Sequence, residues 1–248
     1  MNFRFDIVYE YRHMFLHGVY VTLGFTLVSV MIGMVLGLIG ALARLAHTES
    51  GGIIKKSLLW VVRQISLAYV TFFRGTPLFV QIFIWYYVWF TALVNPIDGW
   101  IISGEQANVV RREWGVIIAG ILALSVNAGA YMTEIFRAGI QSIDKGQIEA
   151  ARSLGLTYGQ TMKQVVLPQA IRRMLPPFGN EFITLLKDSS LLSAIAVAEL
   201  AYTARTISGR FLVYEEPYYT VALIYLLLTT TLAWGFSWLE KCNKIDSH

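Results

Sequence analysis

The sequence predicts an all-α membrane protein with five transmembrane helices. Of its 248 residues, 56% are hydrophobic and only 15% are charged, and the mean hydropathy is +0.55, which is unlike an ordinary soluble domain. Each of five apolar runs has about the ~17–25 residues that a helix needs to cross the hydrocarbon core. The runs are 16–43, 77–94, 115–136, 177–201 and 218–239. An odd number of spans places the termini on opposite sides, and the whole chain, 1–248, is expected to form one transmembrane domain.

The basic residues indicate which way the chain crosses the membrane. If the N-terminus lies outside, the inner segments contain Arg44, Lys55, Lys56, Arg63, Arg137, Lys145, Arg152, Lys163, Arg172, Arg173, Lys187, Lys241 and Lys244. The outer segments then contain Arg4, Arg12, Arg111, Arg112, Arg205 and Arg210. Because lysine and arginine accumulate in cytoplasmic loops, this distribution predicts an external N-terminus and a cytoplasmic C-terminus.

The first apolar run is expected to remain in the protein as a transmembrane helix. It is longer than the ~7–15 residues of a signal-peptide core, and its basic flank follows it instead of preceding it. Within the run, Gly33, Gly37 and Gly40 lie on one helix face. Such a small-residue face allows another helix to approach closely. Packing inside the bundle is the expected use, and a subunit contact is the alternative.

The second membrane crossing requires a break in a long apolar segment. A continuous helix over 58–94 would be ~55 Å long at ~1.5 Å per residue, whereas the membrane core is ~30 Å thick. The break is expected at Arg74-Gly75-Thr76-Pro77, because glycine and proline interrupt helices. Residues 77–94 then cross the membrane. Arg74 is either an interfacial anchor or part of a gate or substrate site.

The polar connection from Asn95 to Glu113 is expected to be an external loop, whose use as a contact surface or as a tolerated surface loop stays open. In the third run that follows it, Asn127, Tyr131 and Glu134 share one helix face. A polar stripe is costly in lipid, so we expect it to face the bundle interior or a pathway. It either binds substrate or holds helices together, and Glu134 can pair with Arg137.

The polar segment 144–168, between the third and fourth runs, is predicted to form two short helices. Asp144 and Thr157 occupy N-cap positions, and each is followed three residues later by glutamine, as in a capping box. Gly155 supplies the break between the two helices. Pro168 is expected to end the second one, since proline lacks the N–H group that a helix interior requires.

The same segment contains Glu149-Ala150-Ala151, then Gly155, and then Leu167-Pro168. This pattern resembles the Glu-Ala-Ala (EAA) loop of the membrane-spanning subunits of bacterial ATP-binding-cassette (ABC) importers, with Val165 in the place of the usual isoleucine. The stretches 73–81 and 127–139 are similar to the polar amino acid uptake branch of that family. The resemblance covers most of the chain, from about 18 to 238.

The resemblance implies a type I ABC importer permease fold in the bacterial inner (plasma) membrane, with 144–168 as a cytoplasmic docking loop. The residues that it implies for docking onto a cassette ATPase are Glu149, Ala150, Ala151, Gly155, Leu167 and Pro168. It also implies a second permease subunit, identical or homologous, and a periplasmic or lipid-anchored substrate-binding protein, which the 95–113 loop could touch. The substrate is then a polar amino acid. ATP and Mg belong to the ATPase subunit, and this chain binds no cofactor.

The fourth apolar run contains several polar residues. Adjacent residues on a helix do not face each other, so Lys187 and Asp188 need other partners or a helix break at Ser189-Ser190. A broken helix presents backbone groups to a polar ligand, and a lysine beside an aspartate offers partners for both charges of an amino acid. An interhelical ion pair that fixes packing is the alternative. The residues expected to line the substrate route are Arg74, Thr76, Asn127, Glu134, Asn180, Glu181, Lys187 and Asp188.

Enzyme motifs are missing from the sequence. It contains no Gly-x-x-x-x-Gly-Lys-Ser/Thr phosphate loop, no His-Glu-x-x-His and no Gly-x-Ser-x-Gly, so no catalytic residue is assigned. The four histidines are too scattered for a metal centre, and the single cysteine, Cys242, excludes an internal disulfide. The basic residues gather in particular loops, which indicates topology and not a nucleic-acid partner. A self-contained ion-coupled amino acid transporter or channel is the alternative, and the EAA pattern favours the importer.

Overall fold

The computed structural model describes residues 4–46 and 52–243, nearly all of them helical, which confirms the predicted all-α architecture. The α-helices are α1 (Phe5–Glu10), α2 (Arg12–Leu45), α3 (Ile53–Gly75), α4 (Leu78–Phe83), α5 (Phe90–Leu93), α6 (Gly104–Gln141), α7 (Lys145–Ser153), α8 (Tyr158–Thr161), α9 (Leu167–Asp188), α10 (Leu200–Phe211) and α11 (Glu215–Asn243). Between them lie the π-helical turns π1 (Ile84–Trp89) and π2 (Met162–Val166) and the 3₁₀-helix η1 (Ser189–Ile195). Lys244, one of the basic residues assigned to the inner side, lies outside the described residues.

Helices α2 and α6 form the centre of the bundle and run parallel. Gly33 lies against Ala128, and Gly37 lies against Met132 further along both helices. A Cβ atom on Gly37 would come within 2.5 Å of the Met132 Cβ atom, so only glycine permits this spacing. The expectation that the glycine face serves packing inside the bundle is therefore confirmed.

The chain breaks sharply between α3 and α4, at the predicted position. α3 ends at Gly75, Pro77 is the N-cap residue of α4, and the two helical segments are bent by 108° relative to each other. Proline fits this position because the first N–H groups of a helix have no intrahelical partner. The Pro77 carbonyl accepts the first bond of the new helix, from the Gln81 N–H at 3.1 Å.

The connection after α5 is shorter than the predicted 95–113 loop. Only residues 94–103 are non-helical, and the charged residues from 105 to 113 form the first turns of α6. The loop itself is tightly hydrogen-bonded, for example from the Gly99 N–H to the Asn95 carbonyl at 3.1 Å. With 38 residues, α6 is ~57 Å long at ~1.5 Å per residue, about twice the membrane core, so its ends extend beyond the hydrocarbon.

The fourth apolar run, 177–201, is divided among three helices. α9 ends at Asp188, η1 follows, and Ala196 adopts a left-handed conformation with φ of 65° before α10 begins. The Ser189 hydroxyl donates to the Leu186 carbonyl at 2.7 Å and so competes with the helical ladder at the break. The break predicted at Ser189-Ser190 is confirmed.

These interruptions determine which helices are long enough to cross a membrane without a break. Among the described residues, three continuous helices are long and apolar enough to cross a membrane, and the bent pair α3–α4/α5 makes a fourth. The predicted run 177–201 is divided by the break at Ser189, and the predicted run 77–94 belongs to the bent pair.

Helix α11 packs on the bundle along one narrow face and is otherwise mostly exposed. Gly179 of α9 lies against the Phe236 ring, where a Cβ atom would come within 2.8 Å. At the other end, Val221 joins a buried cluster with Ile7, Phe15 and Leu200. An apolar helix that buries so little of its surface is suited to face lipid.

Candidate docking segment and substrate cavity

We name residues 144–168 the docking segment, after the role that the resemblance implies; its first helix, α7, begins with the predicted cap. The Asp144 carboxylate accepts a hydrogen bond from the Gly146 N–H at 2.7 Å, which satisfies one of the free donors of the helix start. On α7, Glu149 and Ala150 are exposed, whereas Ala151 is buried. The helix therefore presents the acidic residue and one small residue outward and uses the second alanine for packing.

The turn after α7 depends on Gly155, which has φ of +86°, a left-handed conformation that glycine adopts without strain. α8 then begins with the predicted capping box. The Thr157 N–H donates to the Gln160 side-chain oxygen at 2.8 Å, and the Gln160 N–H donates to the Thr157 hydroxyl at 3.4 Å. Local sequence signals thus set the angle between the two helices.

The prediction that Pro168 ends the second helix is wrong. Helical structure continues from α8 through π2 into α9, and Pro168 lies in the first turn of α9. A π-helical turn changes the hydrogen-bond ladder directly before the proline, where the missing N–H and the ring would otherwise disrupt it. Pro168 marks a change within a helix, and it stays exposed beside the exposed Leu167.

The docking segment is held firmly against the bundle. Ile143, Val166, Ala170 and Met174 form a buried cluster beneath it. The Gln169 side chain also donates to the Gln147 side chain at 2.7 Å and joins α9 to α7. A force applied to the outer face of the segment can therefore be passed to α9 through packed contacts.

An open cavity of about 500 Å³ lies between α6, α9 and the C-terminal end of α3. It is lined by Arg74, Tyr131, Glu134, Ile135, Ala138, Gly139, Ser142, Arg173, Pro177, Asn180 and Glu181. The structure thus brings together four of the predicted pathway residues, namely Arg74, Glu134, Asn180 and Glu181. The other four, Thr76, Asn127, Lys187 and Asp188, are not among the residues that line it.

Glu134 is held at the cavity wall by two arginines. One carboxylate oxygen accepts from Arg44 on α2, and the other accepts from Arg137 at 2.6 Å and 2.9 Å. The predicted pairing of Glu134 with Arg137 is confirmed, whereas Arg44 was not predicted as its partner. Three hydrogen bonds from the two arginines hold the carboxylate, and they tie α2 to α6.

The other polar groups of the cavity are less constrained. The Arg74 guanidinium lies over the Tyr131 ring, 5.1 Å from its centroid. Asn180 is exposed to the cavity, and Glu181 is half-buried. Arg74 and Glu181 are close enough to attract each other, yet within the described part of the chain neither forms an ion pair. The cavity therefore offers a cation, an anion and an amide to a ligand.

Asn127 and Thr76 belong to a different, closed network. The Asn127 amide donates to the Phe73 carbonyl at 3.1 Å and to the Gln81 side-chain oxygen at 2.9 Å. The Gln81 amide in turn donates to the Phe73 carbonyl at 2.8 Å, to the Thr76 carbonyl at 3.0 Å and to the Thr76 hydroxyl at 2.8 Å. We name Asn127, Gln81, Thr76 and the Phe73 carbonyl the bend clamp, since together they fix the 108° bend to α6.

Lys187 and Asp188 occupy the last turn of α9, before the break. Lys187 is exposed and Asp188 is partly buried. Among residues 4–46 and 52–243, neither forms an ion pair within 4.0 Å, with the other or with a third residue. The structure therefore places this charged dipeptide at a helix end and apart from the cavity lining.

Gln81 and Glu199 are buried polar residues that the sequence reasoning missed. Glu199 is fully buried and caps α10, where it accepts from the Ala201 and Tyr202 N–H groups at 2.8 and 2.7 Å and from the Tyr225 hydroxyl at 3.0 Å. An acidic residue directly before an apolar helix is a recognised start signal, which could have revealed it. Gln81 had no comparable local signal. In the described ranges, no group of three or more metal-ligating side chains is placed to hold an ion.

The chain is similar to known transport proteins in sequence and in structure. A family model of binding-protein-dependent transport system inner membrane components matches residues 50–243. A probable glutamine ABC transporter permease protein of Bacillus subtilis (strain 168) is 37% identical over 236 residues, covering 95% of this chain and 96% of the relative. The glutamine transport system permease protein of Escherichia coli (strain K12) is 32% identical over 246 residues, covering 99% and 100%. A crystal structure of an amino acid ABC transporter with histidines matches with a TM-score of 0.78 at 35% identity, covering 97% of this chain and 99% of that chain.

Proposed function

The chain belongs to the family of inner membrane components of binding-protein-dependent transport systems, and we propose that it carries polar amino acids across the bacterial inner membrane by alternating access. A separate cassette ATPase, which binds ATP and Mg, drives the cycle. The chain contributes the membrane route and has no ATPase activity of its own. Relatives named for glutamine and for amino acids in general support this substrate class.

The observation that carries the proposal is the presence of two opposite charges in the cavity, Arg74 and Glu181, that do not form an ion pair with each other. A zwitterionic amino acid has a carboxylate, which matches the Arg74 guanidinium, and an ammonium group, which matches the Glu181 carboxylate. The Asn180 side-chain amide can donate to the carboxylate or accept from the ammonium group. Lys187 and Asp188, the pair first expected to do this, are the weaker candidates, because they do not line the cavity.

The exposed face of the docking segment is the proposed contact with the ATPase. Glu149 and Ala150 on α7 and Leu167 and Pro168 on α9 lie on exposed surface, while Ala151 anchors the segment and Gly155 sets its angle. Helix α9 runs from the docking segment to Asn180 and Glu181. A movement of the docking segment is therefore transmitted along α9 to the cavity wall.

A second permease subunit, identical or homologous, is proposed to complete the route. The cavity is open on one side, and the few spans of one chain are too few to enclose a pathway. A periplasmic or lipid-anchored binding protein then delivers the substrate at the opposite end from the dock.

The proposed topology has the N-terminus outside and the docking segment inside. Arg44 and Arg137 meet at Glu134, and Arg173 donates to the Ser142 carbonyl, so basic residues gather at the dock end of the bundle. In a Cys242→Ser background, Ser103→Cys is expected to react with an impermeant thiol reagent from outside, and Ser153→Cys only from inside. Equal reaction of both from one side contradicts this orientation.

Reconstitution tests the function against the self-contained alternative. We expect proteoliposomes that contain the permease, its ATPase and an amino-acid-loaded binding protein to take up that amino acid only with ATP. Uptake by the permease alone under an ion gradient would instead establish an ion-coupled transporter.

Two substitutions in the docking segment test its contact with the ATPase separately. Glu149→Lys and Gly155→Leu should leave the permease in the membrane but uncouple transport, because one inverts charge at the dock and the other strains the left-handed turn. Glu10→Lys, a matched reversal at an exposed site on α1, is the control. Normal uptake and normal copurification of the ATPase with either dock variant would contradict the docking assignment.

A further inference from the structure

A second cavity, of about 440 Å³, lies between α2 and α3, with Val126 of α6 in its wall. Its walls are built from residues at helical spacing, including Ile39 and Ala43 on α2 and Val62 and Ile65 on α3. We name it the α2–α3 groove. Its volume falls within the ~300–1,000 Å³ of small-molecule sites, and its lining is almost entirely apolar.

The polar side chains in the groove wall are already satisfied by the protein. The Ser66 hydroxyl donates to the Gly40 carbonyl at 2.9 Å, and the Tyr69 hydroxyl donates to the Val126 carbonyl at 2.6 Å. Both bonds also tie α3 to its neighbours. The groove surface therefore has no polar group to offer a ligand along its length, and it suits a hydrocarbon chain better than a polar solute.

Cationic groups gather at one end of this apolar groove. Ala43 on α2 and Val62 on α3 form one end of the groove, and the residues that follow them, Arg44 and the exposed Arg63, lie within electrostatic range of each other. Arg63, Arg74 and Arg137 all lie within electrostatic range of Arg44, against the one carboxylate of Glu134. The local charge is therefore positive where the groove meets the end of a membrane helix.

An apolar groove that ends near arginines is complementary to both parts of an anionic phospholipid, its hydrocarbon chain and its charged phosphate. We propose that the α2–α3 groove binds one acyl chain of an anionic phospholipid, with the lipid phosphate at Arg63 and Arg44. Basic pockets between transmembrane helices attract anionic headgroups, and arginine presents a fork of donors that fits phosphate oxygens. Arg44 also pairs with Glu134 at the wall of the substrate cavity, so a phosphate at Arg44 would lie next to that ion pair.

The test measures lipid retained by the purified complex of permease and ATPase in native mass spectrometry. The probes are phosphatidylglycerol and phosphatidylcholine with identical acyl chains. The wild-type complex is expected to retain phosphatidylglycerol in preference, and Arg63→Gln to lower that retention about fivefold, the effect of one basic residue near a membrane surface. Arg172→Gln, a matched change at an exposed site on α9, is expected to leave it unchanged.

A groove-filling variant separates the acyl chain from the headgroup. Ala43→Phe should remove the retained phosphatidylglycerol, whereas Arg63→Gln, on exposed surface, keeps the fold intact and isolates the charge. Equal retention of the two lipids by the wild type overturns the proposal, and so does the same result for Arg63→Gln and Arg172→Gln. If Ala43→Phe separates the permease subunits while lipid retention persists, a second copy of the chain covers the groove instead.

Discussion

Two groups of polar side chains lie within the helical bundle, and they are used differently. In the bend clamp, the buried Asn127 and Gln81 direct their hydrogen bonds to each other and to backbone carbonyls at the end of α3. In the cavity, Asn180 and Glu181 are partly exposed and Arg74 rests on an aromatic ring without an ion pair among the described residues. The first group holds a shape, and the second is available to a ligand.

The difference teaches how to separate structural from pathway residues in a membrane protein. Both groups place polar side chains in apolar surroundings. The free-energy cost of such side chains in lipid predicts a role for each group, but it does not distinguish a structural role from a role in the pathway. What divides them is whether their hydrogen-bonding capacity is used up inside the protein. Glu134 shares features of both groups, because it lines the cavity and yet forms ion pairs with two arginines.

The largest effect on stability is expected from the bend clamp. Asn127→Leu removes two hydrogen bonds and leaves the buried Gln81 oxygen without a donor, at a cost of about 2–4 kcal/mol. Thermal unfolding of the purified complex measures the loss. Asn180→Leu, the corresponding change in the cavity, should lower the melting temperature little; equal losses in the two variants would remove the distinction between the groups.

A smaller loss of stability is expected at Glu134. Glu134→Gln leaves Arg44 and Arg137 facing each other without their carboxylate and should cost about 1–2 kcal/mol, since the group is partly exposed. Adding Arg44→Met should restore part of the stability, because one of the two like charges left facing each other is then removed. Additive losses in the double variant, measured by the same unfolding assay, would contradict the ion-pair assignment.

Local contacts explain why much of the docking segment was predictable from sequence. The caps at Asp144 and Thr157 and the turn at Gly155 depend on residues at most three positions away, so their spacing carries the information. The break at Ser189 is local in the same sense. The prediction that Pro168 ends the helix was wrong because the π-helical turn before it depends on how the whole segment packs on the bundle.

Long-range partners could not be predicted. Arg44 and Glu134 are 90 positions apart, and Gln81 and Asn127 are 46 apart. Their meeting depends on the parallel packing of α2 with α6 and on the bend after α3, which no sequence spacing encodes. Lys187 was predicted to line the substrate route for the same reason. Its neighbours depend on where α9 ends relative to the cavity, which the local sequence does not show.

Cavity residues should affect transport while sparing stability. Glu181→Gln keeps the shape of the side chain but removes the proposed partner of the substrate ammonium group, so uptake should fall about tenfold, equivalent to ~1.4 kcal/mol. The unfolding temperature should stay within the range of ordinary surface changes, about 0.5 kcal/mol. If the yield of folded protein and the uptake fall by similar factors, Glu181 serves helix packing and does not bind the substrate.

The smallest effects are expected at the end of α9. Lys187→Met and Asp188→Leu should each change stability by less than about 0.5 kcal/mol, and the double variant should equal their sum, because no ion pair joins the two. Uptake by all three variants should stay near that of the wild type. If a single variant loses stability or uptake and the double variant regains it, Lys187 and Asp188 act as a functional pair, which contradicts this prediction.

Substrate protection of introduced cysteines tests the central claim most directly. In a Cys242→Ser background, Asn180→Cys and Asn127→Cys are compared in the reconstituted complex for reaction with an impermeant thiol reagent during ATP-driven transport. We expect the cysteine at 180 to react and to be protected by the transported amino acid, and the cysteine at 127 to react far more slowly and without protection. Equal reaction of both positions, or reaction at 180 that the substrate does not slow, would contradict the assignment of this cavity as the amino acid route.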